Sequence, residues 1–324
     1  MADKKEKKIL GMTQDEFNLF RKRYGIAAIM IVMIILLAIV SPTFRTAGNV
    51  VSIALQVSIN GILALGMVFV ITAGGIDLSI GAMLALTSVI VGIVLNSTGS
   101  IFLACVISVA VTTALGFVNG ALIAKFNMFP FVVTLAMQLV IRGAGYVLSG
   151  GYSASLANAD FKMIGAGKLA GIPYPVFIWL AVAVLAYLLM HWTKFGRYIY
   201  AVGGNINAAQ ASGVDVFWTR TKSFVISGFC SGVAGIIMTS RISAAQPNIG
   251  VGYETDAIAA CVIGGTSFSG GIATIPGTMI GIIIIGLIYN GMNLLGINSY
   301  WQTITKGLLI IGAVMLDMFT NKRG

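Results

Sequence analysis

The stretch ITAGGIDLSIGAMLAL, residues 71–86, places a carboxylate, Asp77, between two long apolar runs. A charge inside hydrocarbon is costly and by default marks a functional site. Beside a broken helix, such an acid could bind a proton or a cation. It could equally stand at a helix start, accepting hydrogen bonds from free N–H groups at the positive end of the dipole. From Val50 to Ala73 the chain has enough residues for about 36 Å of helix, against a hydrocarbon core of about 30 Å. That places the Gly74-Gly75 pair near the cytoplasmic edge. Gly74, Gly75, Asp77 and Ser79 therefore read as a structural helix break, with Asp77 capping the helix that follows. A proton relay needs more than one station, and the other charges within apolar segments are the bases Arg142 and Lys306. An ion- or proton-coupled carrier using Asp77 stands as the alternative reading, with a passive channel behind it.

Other chemistry finds little support. His191 is the single histidine, which excludes a histidine metal cluster or a conventional catalytic triad; beside Trp192 it reads as a helix-end, interfacial residue. Beyond the N-terminal tail the acids are Asp77, Asp160, Asp215, Glu254, Asp256 and Asp317. Glu254 and Asp256 lie two apart, too close to share a helix face, and fall near the outer boundary. Cys105, Cys230 and Cys261 lie in apolar runs with neither metal nor disulfide spacing, and read as small buried hydrophobes. Lys222-Ser223 lacks the glycine lead of a phosphate loop, and SFSGG at 267–271 only superficially matches an ATPase signature. The chain thus reads as neither an enzyme nor an ATP-binding protein, with no cofactor or metal of its own. If ATP powers it, another chain must bind the nucleotide.

The elements that carry these residues follow from hydropathy. Of 324 residues 58% are hydrophobic and 9% are charged, whereas a soluble domain carries about 25% charged residues. Continuous apolar runs of about 20 residues indicate an all-α polytopic membrane protein and exclude a transmembrane β-barrel. Candidate spans lie near 26–40, 50–73, 78–96, 100–124, 129–148, 172–192, 221–240, 255–268, 273–294 and 301–319. The eighth is too short for a simple crossing and reads as broken or re-entrant. One transmembrane domain over 26–320 follows a basic tail at 1–25, and the first apolar run lacks a small-residue cleavage site, as a retained helix would. With ten spans and an inner N-terminus, the cytoplasmic segments hold Lys4, Lys5, Lys7, Lys8, Arg21, Lys22, Arg23, Lys125, Lys194, Arg197, Arg220, Lys222, Lys322 and Arg323. The outer segments hold Arg45, Lys162, Lys168 and Arg241. That bias puts both termini in the cytoplasm, and makes the net charge of +10 a membrane-orienting device rather than a nucleic-acid surface.

Two loops are long enough to be more than connections: 149–171 outside and 193–220 in the cytoplasm. In the second, GNINAAQASGVDV carries Ala208-Ala209 and Gly213, small residues that suit a short helix packed closely on a partner, with glycine ending it. GGIDLSIG at 74–81 and GGTSFSGG at 264–271 share G-G-x-x-x-S-x-G at an offset of 190 residues, a faint repeat of the kind transporters place at paired helix breaks.

GGIDLSIGA (74–82), FGRYIYAVGGNINAAQASGVDV (195–216), RISAAQPNIGVGYETDAIAACVIGGTSFSGG (241–271) and NGMNLLGINSYWQTITKG (290–307) resemble the membrane permeases of bacterial ATP-binding-cassette (ABC) importers for monosaccharides, the ribose/galactose/xylose group above all. The resemblance implies two permease copies in the cytoplasmic (inner) membrane, in contact with its lipid. It also implies a cytoplasmic ATPase subunit that binds ATP and Mg, and an extracytoplasmic sugar-binding protein. The E-A-A-x-x-x-G pattern of ABC permeases maps onto Asn207, Ala208, Ala209 and Gly213 as the ATPase-coupling loop; Asn207 departs from it, replacing a charge with a neutral amide. For a sugar, wall residues would be few, polar and uncharged. Gln56, Asn60, Asn119, Gln138 and Asn290 are the candidates for lining the path, although such residues also tie helices together.

Overall fold

The computed structural model describes residues 14–321. The basic cluster Lys4–Lys8 and the pair Lys322-Arg323 lie outside the described residues. The fold is helical apart from two ladders of two-residue strands. The first helices are α1 (Gln14–Val40), α2 (Ala47–Thr72), α3 (Ile80–Thr98), α4 (Ile101–Phe126) and α5 (Pro130–Ser149). The loop after α5 then holds β1 (Ala154–Ser155), α6 (Ala159–Ala166), β2 (Lys168–Leu169) and β3 (Ile172–Pro173). Next come α7 (Tyr174–Trp192), α8 (Lys194–Gly204), α9 (Ile206–Ala211), α10 (Val216–Ile242), β4 (Ala244–Ala245), α11 (Tyr253–Ile263), α12 (Ile275–Leu294) and α13 (Ser299–Asn321). Each expected span has a helix at its place. Seven of the helices, α2, α3, α4, α5, α7, α10 and α12, are long and apolar enough to cross a membrane. The expected weak point is α11, whose 11 residues rise only about 16 Å.

Local sequence explains the ends. Thr46, Ser100, Thr193, Asn205, Asp215 and Thr274 each accept a hydrogen bond from a backbone N–H of the helix they precede. Such caps satisfy donors that the first turn leaves free. Pro130 and Pro175 open α5 and α7, where a missing N–H costs nothing.

Burial then sorts the helices. α2 is apolar all round and buried on every residue from Val57 to Thr72, as a central helix must be. It is enclosed by α7, α10, α11 and α12. α4 and α10 cross closely because small residues face each other. Gly116 and Gly120 on α4 meet the α10 backbone at Phe224 and Thr221, and Gly228 and Gly232 on α10 meet α4 at Thr112 and Val109. Outside this core, α4, α5 and α7 leave large apolar side chains such as Phe102, Leu139 and Val184 exposed. Loop 149–171 is no simple connection. α6 packs on α10, where Ser240 Oγ accepts from Gly165 N (2.7 Å) and donates to the Phe161 carbonyl (2.6 Å). β1 pairs antiparallel with β4.

Candidate functional site

Two helix breaks lie side by side at one end of the core. α2 ends with Gly74 N donating to Ile71 O and Gly75 N to Val70 O, both at 2.9 Å, and Gly74 at φ +77°. α11 ends the same way, with Gly265 N on Val262 O and Thr266 N on Cys261 O, again at 2.9 Å, and Gly265 at φ +89°. The left-handed residue that closes such a turn favours glycine. The matching glycines are thus Gly74 and Gly265, one residue off the register that the sequence repeat suggests. The stretch that follows is also longer in the second break, which reaches Thr274 before helix resumes, against Ser79 in the first. Gly271 N donates to the carbonyl of Thr72 at 2.9 Å, tying the second break to the end of α2.

Asp77 does not cap α3; Ser79 holds that position, with no side-chain capping bond. The Asp77 carboxylate is fully buried. Its Oδ1 accepts from Ser79 N (3.0 Å) and Ser79 Oγ (2.6 Å), and its Oδ2 accepts from Ser227 Oγ (2.8 Å). Ser79 Oγ in turn accepts from Asn119 Nδ2 at 2.9 Å. Ser227 stands about 17 Å along α10, so the acid lies well inside the bundle rather than at its edge. Residues 73–79 lie against α10, with Asp77 on Ser227 and Gly75 beside Phe224. Three hydrogen bonds make this carboxylate a staple between the start of α3 and α10, and Asn119 on Ser79 joins α4 to it.

A second polar cluster surrounds the unwound chain between α10 and α11. Arg142 Nη1 donates to the carbonyls of Pro247 (3.1 Å) and Ile249 (2.6 Å). Lys306 Nζ donates to Gly252 O at 3.0 Å and pairs with Asp256 Oδ1 at 2.8 Å, which also accepts from Tyr289 OH at 2.8 Å. Glu254 Oε1 accepts from Gly252 N (3.1 Å) and Gln138 Nε2 (3.4 Å). Non-helical backbone at membrane depth must have its carbonyls satisfied by protein or by a wet cavity. Two cations supply those donors here, while the two acids suit the positive end of α11. Glu254 and Asp256, which the span order puts near the outer boundary, both belong to this cluster. Both are buried, and Arg142, which shares the cluster with them, sits about 18 Å along α5.

Loop 193–220 is two helices. α8 is anchored on α2 by the Phe195–Phe69 ring stack (6.4 Å between centroids) and on the second break by Tyr200 OH donating to Ala273 O (3.3 Å). α9 buries Ala209 and leaves Asn207, Ala208 and Gln210 exposed. Gly213 ends it at φ +80°, with Val214 N donating to Ala209 O at 3.0 Å.

The family model described as "Branched-chain amino acid transport system / permease component" matches residues 49–314. The chain is 43% identical to the ribose import permease protein RbsC of Bacillus subtilis (strain 168), over 89% of this chain and 90% of that protein. It is 42% identical to the RbsC of Haemophilus influenzae, over 91% and 92% of the two chains. It is also 40% identical to the D-allose transport system permease protein AlsC of Escherichia coli (strain K12), over 94% of each. No solved structure matches. The chain belongs to this permease family. It is a multi-pass transport subunit of the ABC importer type, embedded in the cytoplasmic membrane, and not an enzyme.

The permease uses its polar residues mainly to tie helices together. Asn119 holds Ser79. Asn290 and Asn49 exchange two amide hydrogen bonds (2.7 and 3.1 Å) that join α12 to the start of α2. Gln138 reaches Glu254, Asn60 is buried in α2, and Gln56 is half-buried. The five candidates do not converge on one site: among them Gln138 joins the cluster beside the unwound segment, through Glu254 of α11. Sequence reasoning passed over Ser227, Tyr289 and the carbonyls of 247–252. The run QPNIGVG, with a proline and two glycines after an apolar helix, was the available signal for unwinding.

Proposed function

We propose that this permease, as a pair of copies, forms the translocation path of an importer for a monosaccharide. A separate ABC ATPase subunit that binds ATP and Mg would drive it, and an extracytoplasmic binding protein would deliver the sugar. The observation that carries this reading is identity of 40–43% to ribose and allose permeases over about nine-tenths of both chains. In this reading the membrane is crossed ten times with both termini inside. Residues 243–252 and α11 together make the eighth crossing, half unwound and half helical. The domain runs over 26–320, and the tail at 1–25 faces the cytoplasm.

Asn207, Ala208, Ala209 and Gly213 form the ATPase contact. α9 offers a small, exposed, neutral face, supported from behind by Ala209. Nucleotide-driven movement of the ATPase would shift the permease between outward- and inward-facing states, each favoured by different contacts there. Replacing Gly213 by valine forces a β-branched residue into left-handed backbone, at a cost of about 1–2 kcal/mol. No atom lies near enough to clash with the added side chain. The expected result is normal assembly and ATPase binding, with sugar uptake per ATP hydrolysed reduced severalfold. Uptake at the wild-type ratio would remove Gly213 from the coupling site.

The reading as a whole is tested in proteoliposomes holding the permease, its ATPase and the binding protein. Ribose or allose uptake should require ATP and persist with a proton uncoupler present, and Asp77→Asn should retain ATP dependence. Uptake that collapses with the uncoupler and needs no ATPase would overturn the assignment.

A further inference from the structure

We infer that Gly203, next to the C-terminal end of α8, is the positioning residue through which a displacement of α9 reaches both helix breaks together. The inference rests on the ATPase-driven reading above and adds the place where motion enters the membrane core. Around Gly203 three backbones meet with no side chain between them. A Cβ at Gly203 would collide with the carbonyl oxygen of Thr72, the last residue of α2, and lie 2.6 Å from the amide nitrogen of Gly271 in the second break. From the other side, a Cβ at Gly270 would come within 2.9 Å of the Gly203 carbonyl and 3.1 Å of Gly74 Cα in the first break. A Cβ at Gly271 would lie 2.8 Å from Gly204 Cα. The hydrogen bond from Gly271 N to Thr72 O closes this joint.

Backbone in direct contact leaves no slack for one element to move while its neighbour stays, because packed protein transmits displacement rather than absorbing it. The rest of α8 holds the same two partners, through Phe195 on Phe69 of α2 and Tyr200 on Ala273. Only Asn205 separates α8 from α9, and its side chain caps α9 by accepting from Ala208 N at 3.0 Å. A push on α9 is therefore delivered within one residue to a joint where both breaks touch. The first break leads directly into Asp77 and α3, and the second into α12. α3 and α12 consequently receive one movement, not two.

The test compares Gly203→Ala with Gly204→Ala in the full transporter. Gly204 has no atom within 4 Å of an added Cβ, so alanine there changes helix propensity alone. Assembly, ATPase rate and sugar uptake are measured for both variants and for Tyr200→Phe, which removes a single hydrogen bond to the second break. Gly203→Ala should bind the ATPase and hydrolyse ATP, while uptake per ATP falls at least fivefold. Tyr200→Phe should lower the ratio in the same direction, and Gly204→Ala should leave it unchanged. A wild-type ratio in assembled Gly203→Ala overturns the assignment. So does an equal loss in Gly204→Ala, or, should Gly203→Ala not assemble, a wild-type ratio in Tyr200→Phe. Wild-type uptake without ATP would instead overturn the underlying function, and is read in the same experiment.

Discussion

Replacing Gly228 with isoleucine should nearly abolish folded permease in the membrane. A Cβ at Gly228 collides with the Thr112 carbonyl oxygen and lies 3.2 Å from Gly116 Cα. Both obstacles are backbone, so no rotamer change makes room, and α4 and α10 must move apart. Close helix contact is a main source of stability in a membrane, where lipid is as apolar as leucine and gives no hydrophobic drive between helices. Separation would also pull on the Asp77–Ser227 and Asn119–Ser79 hydrogen bonds, which span the same helices. Overpacking alone costs about 1–3 kcal/mol, and the lost bonds add to it, against a total stability of about 5–15 kcal/mol. Detergent-extracted yield and the midpoint of thermal aggregation measure the effect. Gly307→Ala, with open space around an added Cβ on α13, is the matched control and should match the wild type. Equal yields for Gly228→Ile and the control would show that the crossing is not tight.

The second large effect is expected at Lys306. Lys306→Met keeps an unbranched side chain, one atom shorter, but leaves Asp256, 4% exposed, without its cation and Gly252 O without its donor. Removing one partner of a buried pair costs about 3–5 kcal/mol, because the remaining charge is stranded. Tyr289 OH still donates to Asp256 and cannot balance a full charge. Adding Asp256→Asn removes that charge while keeping an acceptor for Tyr289. The double variant should therefore recover about half or more of the lost stability, an interaction that a double-mutant cycle reads directly. Thermal stability of the purified single and double variants provides the numbers. Additive losses in the double variant would show that the pair does not bear on stability.

Both sites show what kind of feature a linear reading can find. The helices were legible because each needs about 20 apolar residues, a local property of the chain. The break at Gly74-Gly75 and the end of α9 at Gly213 were legible too, since a left-handed turn favours glycine and leaves a trace at one position. The α4–α10 crossing left a trace that went unread: Gly116 and Gly120, and Gly228 and Gly232, each stand four apart, the spacing that lets helix backbones approach.

By itself, the sequence determined that this is a polytopic helical permease, where its apolar segments lie and which loop carries the small-residue motif. These follow from periodicity, hydropathy and contiguous motifs, all of them short-range along the chain. Only the tertiary structure decided that Asp77 is buried against Ser227, that Arg142 and Lys306 hold the carbonyls of Pro247, Ile249 and Gly252 beside Glu254 and Asp256, and that Gly203 sits between the two breaks. The physical reason is sequence distance. Lys306 meets Gly252 across 54 residues, and Asp77 meets Ser227 across 150. What such a charge does depends on which distant donor or acceptor the packed helices bring to it, and no local pattern records that choice.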